Sequence, residues 1–166
     1  MIVRLLGPQD AEDYRKVRLE ALRQHPDAFA VSYEEEEVRP VSIYEERFQS
    51  NENYTFGAFD GDELIGTVTL LKERYRKLKH RANIVAMYVQ SPHRSKGVGK
   101  KLMTAAIKQA KSEPDIEQVY LTVVQSNASA KKLYQSLGFT TFGIDSKALK
   151  IGQDYLDEEL MVLAII

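Results

Sequence analysis

The chain has 166 residues, 43% hydrophobic and 28% charged, with a net charge of −1 and no cysteine. A single domain of that length buries about 70% of its unfolded surface, so residues 1–166 need no second core and are read as one domain. The near-neutral balance removes any general attraction to nucleic acid or anionic membrane, and without thiols there are no disulfides, thiolate metal sites or cysteine nucleophile.

Ile2 to Leu6 reads as a short strand stopped by Gly7-Pro8. Its apolar run is too short for a signal peptide and no later stretch approaches transmembrane length, so a cytoplasmic protein is expected. From Gln9 to about Gln24, Ala11, Tyr14, Val17, Ala21 and Leu22 recur at helical spacing, which predicts an amphipathic helix over a sheet, ended before Pro26. The segment from Phe29 to Glu37 passes from apolar to strongly acidic. Glu34 to Glu37 are either a solvated loop or helix end, or an acidic lip that attracts a cationic acceptor. Ser42 to Ser50 resembles a shorter helix.

Tyr54 to Phe59 and Leu64 to Leu71 are β-type runs around Asp60-Gly61-Asp62-Glu63, a strong hairpin signal. Lys72 to Arg81 then carries six Lys/Arg plus His80. Such a run serves nucleic acid, a cofactor phosphate or solubility; without aromatic interleaving beyond Tyr75 it is read as a solvated loop, and no nucleic-acid partner is expected. His25, His80 and His93 show no ligand spacing, so no metal site is expected.

Ile84 to Val89 is an unbroken apolar run, the pattern of a central strand buried on both faces. It is followed by Ser91-Pro92 and then Arg94-Ser95-Lys96-Gly97-Val98-Gly99-Lys100, where a helix begins that continues to about Lys111. At such a helix mouth the first N–H groups lack carbonyl partners and point outward with the positive end of the dipole. Glycines at 97 and 99 let an anion reach the backbone, and Arg94, Lys96, Lys100 and Lys101 add positive charge, so a phosphate or pyrophosphate is expected here. The letters fit neither a P-loop, since Lys101 follows Gly99-Lys100, nor a dinucleotide fingerprint, since Leu102 stands where its third glycine belongs. Val119 to Val124 is a second β run, which makes strand, helix and strand a right-handed crossover with parallel strands.

Asn127 is a suitable N-cap for a helix that ends at Gly138. Asn127 and Tyr134 stand two turns apart on one face, about 10 Å along the axis, and can reach one elongated ligand. Thr140 to Ile144, Leu149 to Tyr155 and Glu158 to Ile166 read as closing antiparallel strands, with turns at Asp145-Ser146-Lys147 and Gly152-Gln153-Asp154. The last strand is apolar on both faces, which leaves one face for a partner subunit, as in a homodimer.

The pattern Arg94-x-x-Gly97-x-Gly99 after a buried strand resembles the acyl-CoA pyrophosphate loop of the GCN5-related N-acetyltransferase (GNAT) superfamily. Asn127-x-x-Ala130-x-x-Leu133-Tyr134-x-x-x-Gly138-Phe139 resembles that family's second hallmark, and the two together cover about residues 54 to 143. The resemblance implies an α/β fold with a mixed, mostly antiparallel sheet of about seven strands, flanking helices and one splayed parallel pair. It also implies acetyl-CoA as acyl donor, bound by Arg94, Ser95, Lys96, Gly97, Val98, Gly99 and Lys100 at the pyrophosphate and by Met87, Tyr88 and Val89 along the pantetheine arm. Asn127 takes the place of the family's asparagine and Tyr134 that of its general acid.

The function so implied is direct acetyl transfer to a primary amine of a small molecule or peptide; the alternative is a non-catalytic acyl-CoA sensor. A lysine-like amine is neutral only about once in a few thousand at pH 7, a deficit of about 4.6 kcal/mol, so a base is needed. Glu34, Glu35, Glu73, His80 and an ordered water all remain open for that role. The acceptor is expected to meet Phe29, Tyr33 and Glu34, whose acidity favours a cation such as a polyamine.

Overall fold

Three hairpins and one helical crossover build most of a seven-stranded sheet. The computed structural model describes residues 1–166. Its strands are β1 (Ile2–Leu5), β2 (Asn53–Asp60), β3 (Glu63–Lys72), β4 (Arg81–Val89), β5 (Gln118–Val124), β6 (Thr140–Ile151) and β7 (Asp154–Ala164). The helices are α1 (Ala11–Gln24), α2 (Tyr33–Glu37), α3 (Val41–Gln49), α4 (Val98–Ser112) and α5 (Ala128–Ser136). The spatial order is β1-β2-β3-β4-β5-β7-β6, and every pair is antiparallel except β4 with β5. No helix is long and apolar enough to cross a membrane.

Alternation along the strands divides the apolar residues between two layers. On one face Leu102, Met103, Ala106 and Ala110 of α4 pack on Ile65, Val68, Ile84, Val119 and Leu121. On the other, Tyr14 and Val17 of α1 and Tyr44 of α3 pack on Phe59, Leu64 and Tyr88. Neighbours such as Leu64 and Ile65 fall into different layers, as the period of two requires.

Three details differ from the pattern reading. Asp145-Ser146-Lys147 is not a turn but a bulge within β6: the register with β7 shifts between Asp145 and Leu149, and the Lys147 N–H donates to Asp157 Oδ1 at 2.8 Å. The acidic run forms α2, started by a reciprocal cap in which Ser32 Oγ accepts from the Glu35 N–H and Glu35 Oε2 accepts from the Ser32 N–H. One turn of helix then turns Glu36 inward, to 2% exposure, and leaves its three neighbours in solvent. Finally, β4 is not covered on both faces, because Val85 is 39% exposed; the reason lies in the cleft described below.

An ion pair fixes where α1 starts. Arg4 of β1 donates from both terminal nitrogens to Asp10, at 2.8 and 2.9 Å, and the Gly7 N–H donates to Asp10 Oδ2 at 2.8 Å. Asp10 is buried, and the hydrogen bond from Arg4 holds its carboxyl below the usual aspartate range. A depressed carboxyl contributes stability above its unfolded pKa and loses it as pH falls through that range. Asp10→Asn is therefore expected to cost about 1–3 kcal/mol at pH 7. Urea unfolding from pH 7 to 3 should show the gap between wild type and variant closing below about pH 4.

Candidate active site

The parallel pair β4 and β5 is joined at only three positions, Arg81 with Gln118, Ala82 with Val119 and Asn83 with Tyr120. Beyond Asn83 the strands part. On its other side β4 has a bulge: the register with β3 shifts between Thr67 and Thr69, and Ala86 takes φ +52°. A bulge bends its strand and releases main-chain groups from the ladder. Between the parted strands lies a cleft of about 960 Å³. It runs from the mouth of α4, along Val85 to Val89 and Leu121 to Val124, to α1 and α2. Val85 is exposed because it forms part of this wall.

At the mouth of α4 a run of main-chain amides is left free. Ser95, Lys96, Gly97, Val98, Gly99 and Lys100 donate their N–H groups to no acceptor in the chain, and the first helical bond is from Lys101 to the Gly97 carbonyl at 3.1 Å. Ser95 (φ +61°) and Gly97 (φ +79°) are both left-handed, which makes a concave turn lined with amides. The two glycines do different work. A Cβ on Gly97 would meet nothing within 4 Å, so this position needs glycine for its backbone angle and the open space in front of it. A Cβ on Gly99 would stand 3.1 Å from Met87 Cε and 3.2 Å from Leu133 Cδ2, so Gly99 lets α4 approach β4 and α5.

The cations separate as well. Arg94 folds back, with Nε on the Val89 carbonyl at 2.8 Å and a terminal nitrogen 2.9 Å from His25 Nε2, and so braces the loop. Lys100 lines the cleft, whereas Lys96 is exposed and does not.

Met87, Tyr88 and Val89 all line the cleft. The Tyr88 side chain is buried, and its hydroxyl donates to Glu20 Oε1 at 2.8 Å; burial and that carboxylate push it up to about 12. Opposite stands α5. Asn127 Oδ1 caps it by accepting from the Ala130 N–H at 3.2 Å, which leaves the amide nitrogen for the cleft. Tyr134 lines the cleft at 7% exposure, packs against Phe139 with ring centroids 6.2 Å apart, and has a hydroxyl bonded to nothing in the chain. Burial pushes Tyr134 up to about 12, away from a thiol's 8.5.

The end of the cleft at α1 and α2 differs most from the sequence reading. Phe29 lines the cleft; Tyr33 and Glu34 do not. The Tyr33 hydroxyl accepts from Arg23 at 2.8 Å, and Glu34 faces solvent on α2. Their places are taken by Arg18, Glu36, Arg39 and Arg47. The capping pattern Ser32-x-x-Glu35 was the available signal, since it sets where α2 begins and hence that one of four glutamates turns inward. Of the proposed bases, Glu35 is held by Ser32, Glu73 accepts from Asn83 at 2.9 Å, and His80 adjoins the paired start of β5, where its carbonyl accepts from Glu117 and Gln118. None of these lines the cleft, and neither does Glu34. The carboxylates that do are Glu36 and Glu158.

Residues 16–139 match the model of the acetyltransferase (GNAT) family. Human N-alpha-acetyltransferase 30 is 32% identical over 138 residues, 82% of this chain but only 38% of that protein, so the chain spans well under half of that relative. A GNAT-family acetyltransferase from Streptococcus pneumoniae superposes with a TM-score of 0.89 at 21% identity, over 99% of both chains. The yncA protein of Salmonella typhimurium, solved with its cofactor acetyl-CoA, gives 0.87 at 18% identity over 100% of this chain and 94% of the other. These two likenesses establish the fold.

The two glycines predict different defects. Gly97→Val forces a branched residue to positive φ and fills the open space in front of the free amides, so the acetyl-CoA Kd measured by calorimetry should rise about tenfold or more. Gly99→Val should instead lower stability by about 1–3 kcal/mol in urea unfolding, through overpacking against Met87 and Leu133.

Proposed function

This chain belongs to the acetyltransferase (GNAT) family, and on that premise we propose that it transfers an acetyl group from acetyl-CoA to a primary amine of a small molecule or peptide. Acetyl-CoA is the family's acyl donor. The observation that carries the proposal is the run of six unpartnered amides, Ser95 to Lys100, beside the gap between β4 and β5. A diphosphate gripped there directs the rest of an extended thioester along Met87 to Val89 toward Tyr134.

In the proposed reaction the amine nitrogen attacks the thioester carbonyl carbon, a C–N bond forms, and the C–S bond breaks with its electron pair on sulfur. The proposed donor to the carbonyl oxygen as it gains charge is a main-chain N–H at the Ala86 bulge, where pairing with β3 lapses between Val85 and Tyr88. The Tyr134 hydroxyl, free of partners in the chain, donates a hydrogen bond to the departing sulfur. The amine's proton goes to Glu158, directly or through one water: Glu158 lines the cleft with no side-chain partner, whereas Glu36 is already held by Tyr44.

Tyr134→Phe is expected to lower kcat about tenfold or more and leave the acetyl-CoA Kd within about twofold, read from thiol release and calorimetry. With Tyr134 pushed up to about 12, it stays protonated through pH 10, so the wild-type rate should show no alkaline fall from this group below that pH. A chain that binds acetyl-CoA and releases no thiol with any amine would instead be an acyl-CoA sensor.

A further inference from the structure

The helical wall of the cleft carries an excess of positive charge. Glu36 is 2% exposed, and its Oε1 accepts from the Tyr44 hydroxyl at 2.7 Å and lies 3.8 Å from Arg18 Nε. Its Oε2 lies 3.5 Å from Arg39 Nη1, within ion-pair range, yet is buried without a hydrogen bond. One enclosed carboxylate between two guanidiniums leaves a positive charge over. Arg47 lines the same wall, 5.6 Å above the Tyr44 ring, and has no acidic partner.

Glu36 thus serves to hold Arg18 and Arg39 toward the cleft, since a carboxylate sealed from solvent by its own partners cannot receive an incoming ammonium. A polyamine placed here would face three guanidiniums; an anionic group would find free donors in a planar fork that matches a carboxylate. From the sheet side, Glu158 of β7 offers the opposite charge.

We propose that the acetyl acceptor is an amine that also carries a carboxylate, which docks on Arg18, Arg39 and Arg47 while the amine faces Glu158. The inference rests on the N-acetyltransferase reading. A free amino acid and the N-terminus of an acidic peptide share this chemistry.

The test compares kcat/KM for glutamate, 4-aminobutyrate and a peptide beginning with aspartate, each against its carboxamide form, together with spermidine. Acetyl-CoA binding is followed by calorimetry on the same samples. At least one acid is expected to exceed its amide about tenfold or more, with spermidine among the poor acceptors. Arg18→Gln should erase that preference while acetyl-CoA affinity holds. Preference for the amino acids alone identifies a small-molecule acceptor, and preference for the peptide alone a polypeptide one; both support the assignment. Amides or spermidine used as well as the acids, or acetyl-CoA bound with no acid acetylated, overturns the acceptor assignment alone. Absence of acetyl-CoA binding overturns the acetyltransferase reading with it. The comparison of acid with amide uses wild-type protein, so it stands even if Arg18→Gln does not fold.

Discussion

The site depends on the early parting of two parallel strands. A parallel pair in the middle of a sheet normally keeps its ladder to the end, because each unmade bond leaves buried donors and acceptors without partners. Here β5 keeps its full ladder to β7 from Gln118 to Val124, so only its β4 side opens. On β4 the bulge at Ala86 changes the strand's direction where the ladder with β5 has already ended, and pairing with β3 resumes at Tyr88. The opening is therefore set by strands that are themselves well held. That is the rigidity a thioester needs if it is to meet an amine within reacting distance.

The mouth of α4 works with that opening because of how the two glycines are placed. Gly97 gives the turn its left-handed angle, and Gly99 brings the helix down onto Met87 and Leu133. Held there, the helix presents its unpaired amides beside the C-terminal end of β4, and its dipole favours negative charge at that point. The cationic side chains add less than their number implies. Arg94 is committed to the Val89 carbonyl and His25, so at this mouth it is the main-chain amides that are left free.

The fold was readable where the signals are local. Asp60-Gly61, the apolar runs of β4 and β5, and the Asn127 to Gly138 helix all keep their expected places. Readings failed where tertiary placement decides. Asp145-Ser146-Lys147 has the composition of a turn, but a hydrogen bond to Asp157 across the strand pair absorbs it as a bulge. Val85 belongs to an apolar run that looks doubly buried, yet one of its neighbours is a cleft. Glu73 and His80 are chemically able to act as bases, but they sit at the end of β4 where it is still paired with β5. Nothing in four successive glutamates marks Glu36 as the buried one until the phase of α2 is known.

The environment of Tyr134 bears on what a tyrosine can do in the proposed reaction. With its hydroxyl pushed up to about 12 and a thiol at 8.5, full transfer of the proton would be uphill by about 5 kcal/mol. A proton that stays on oxygen avoids that cost. The desolvation that makes Tyr134 a poor acid also keeps it neutral, so it does not repel a thiolate, and the low dielectric strengthens the hydrogen bond it donates. Burial thus favours charge stabilisation over proton delivery as the contribution of Tyr134, and the sulfur can take its proton from solvent after it leaves the cleft.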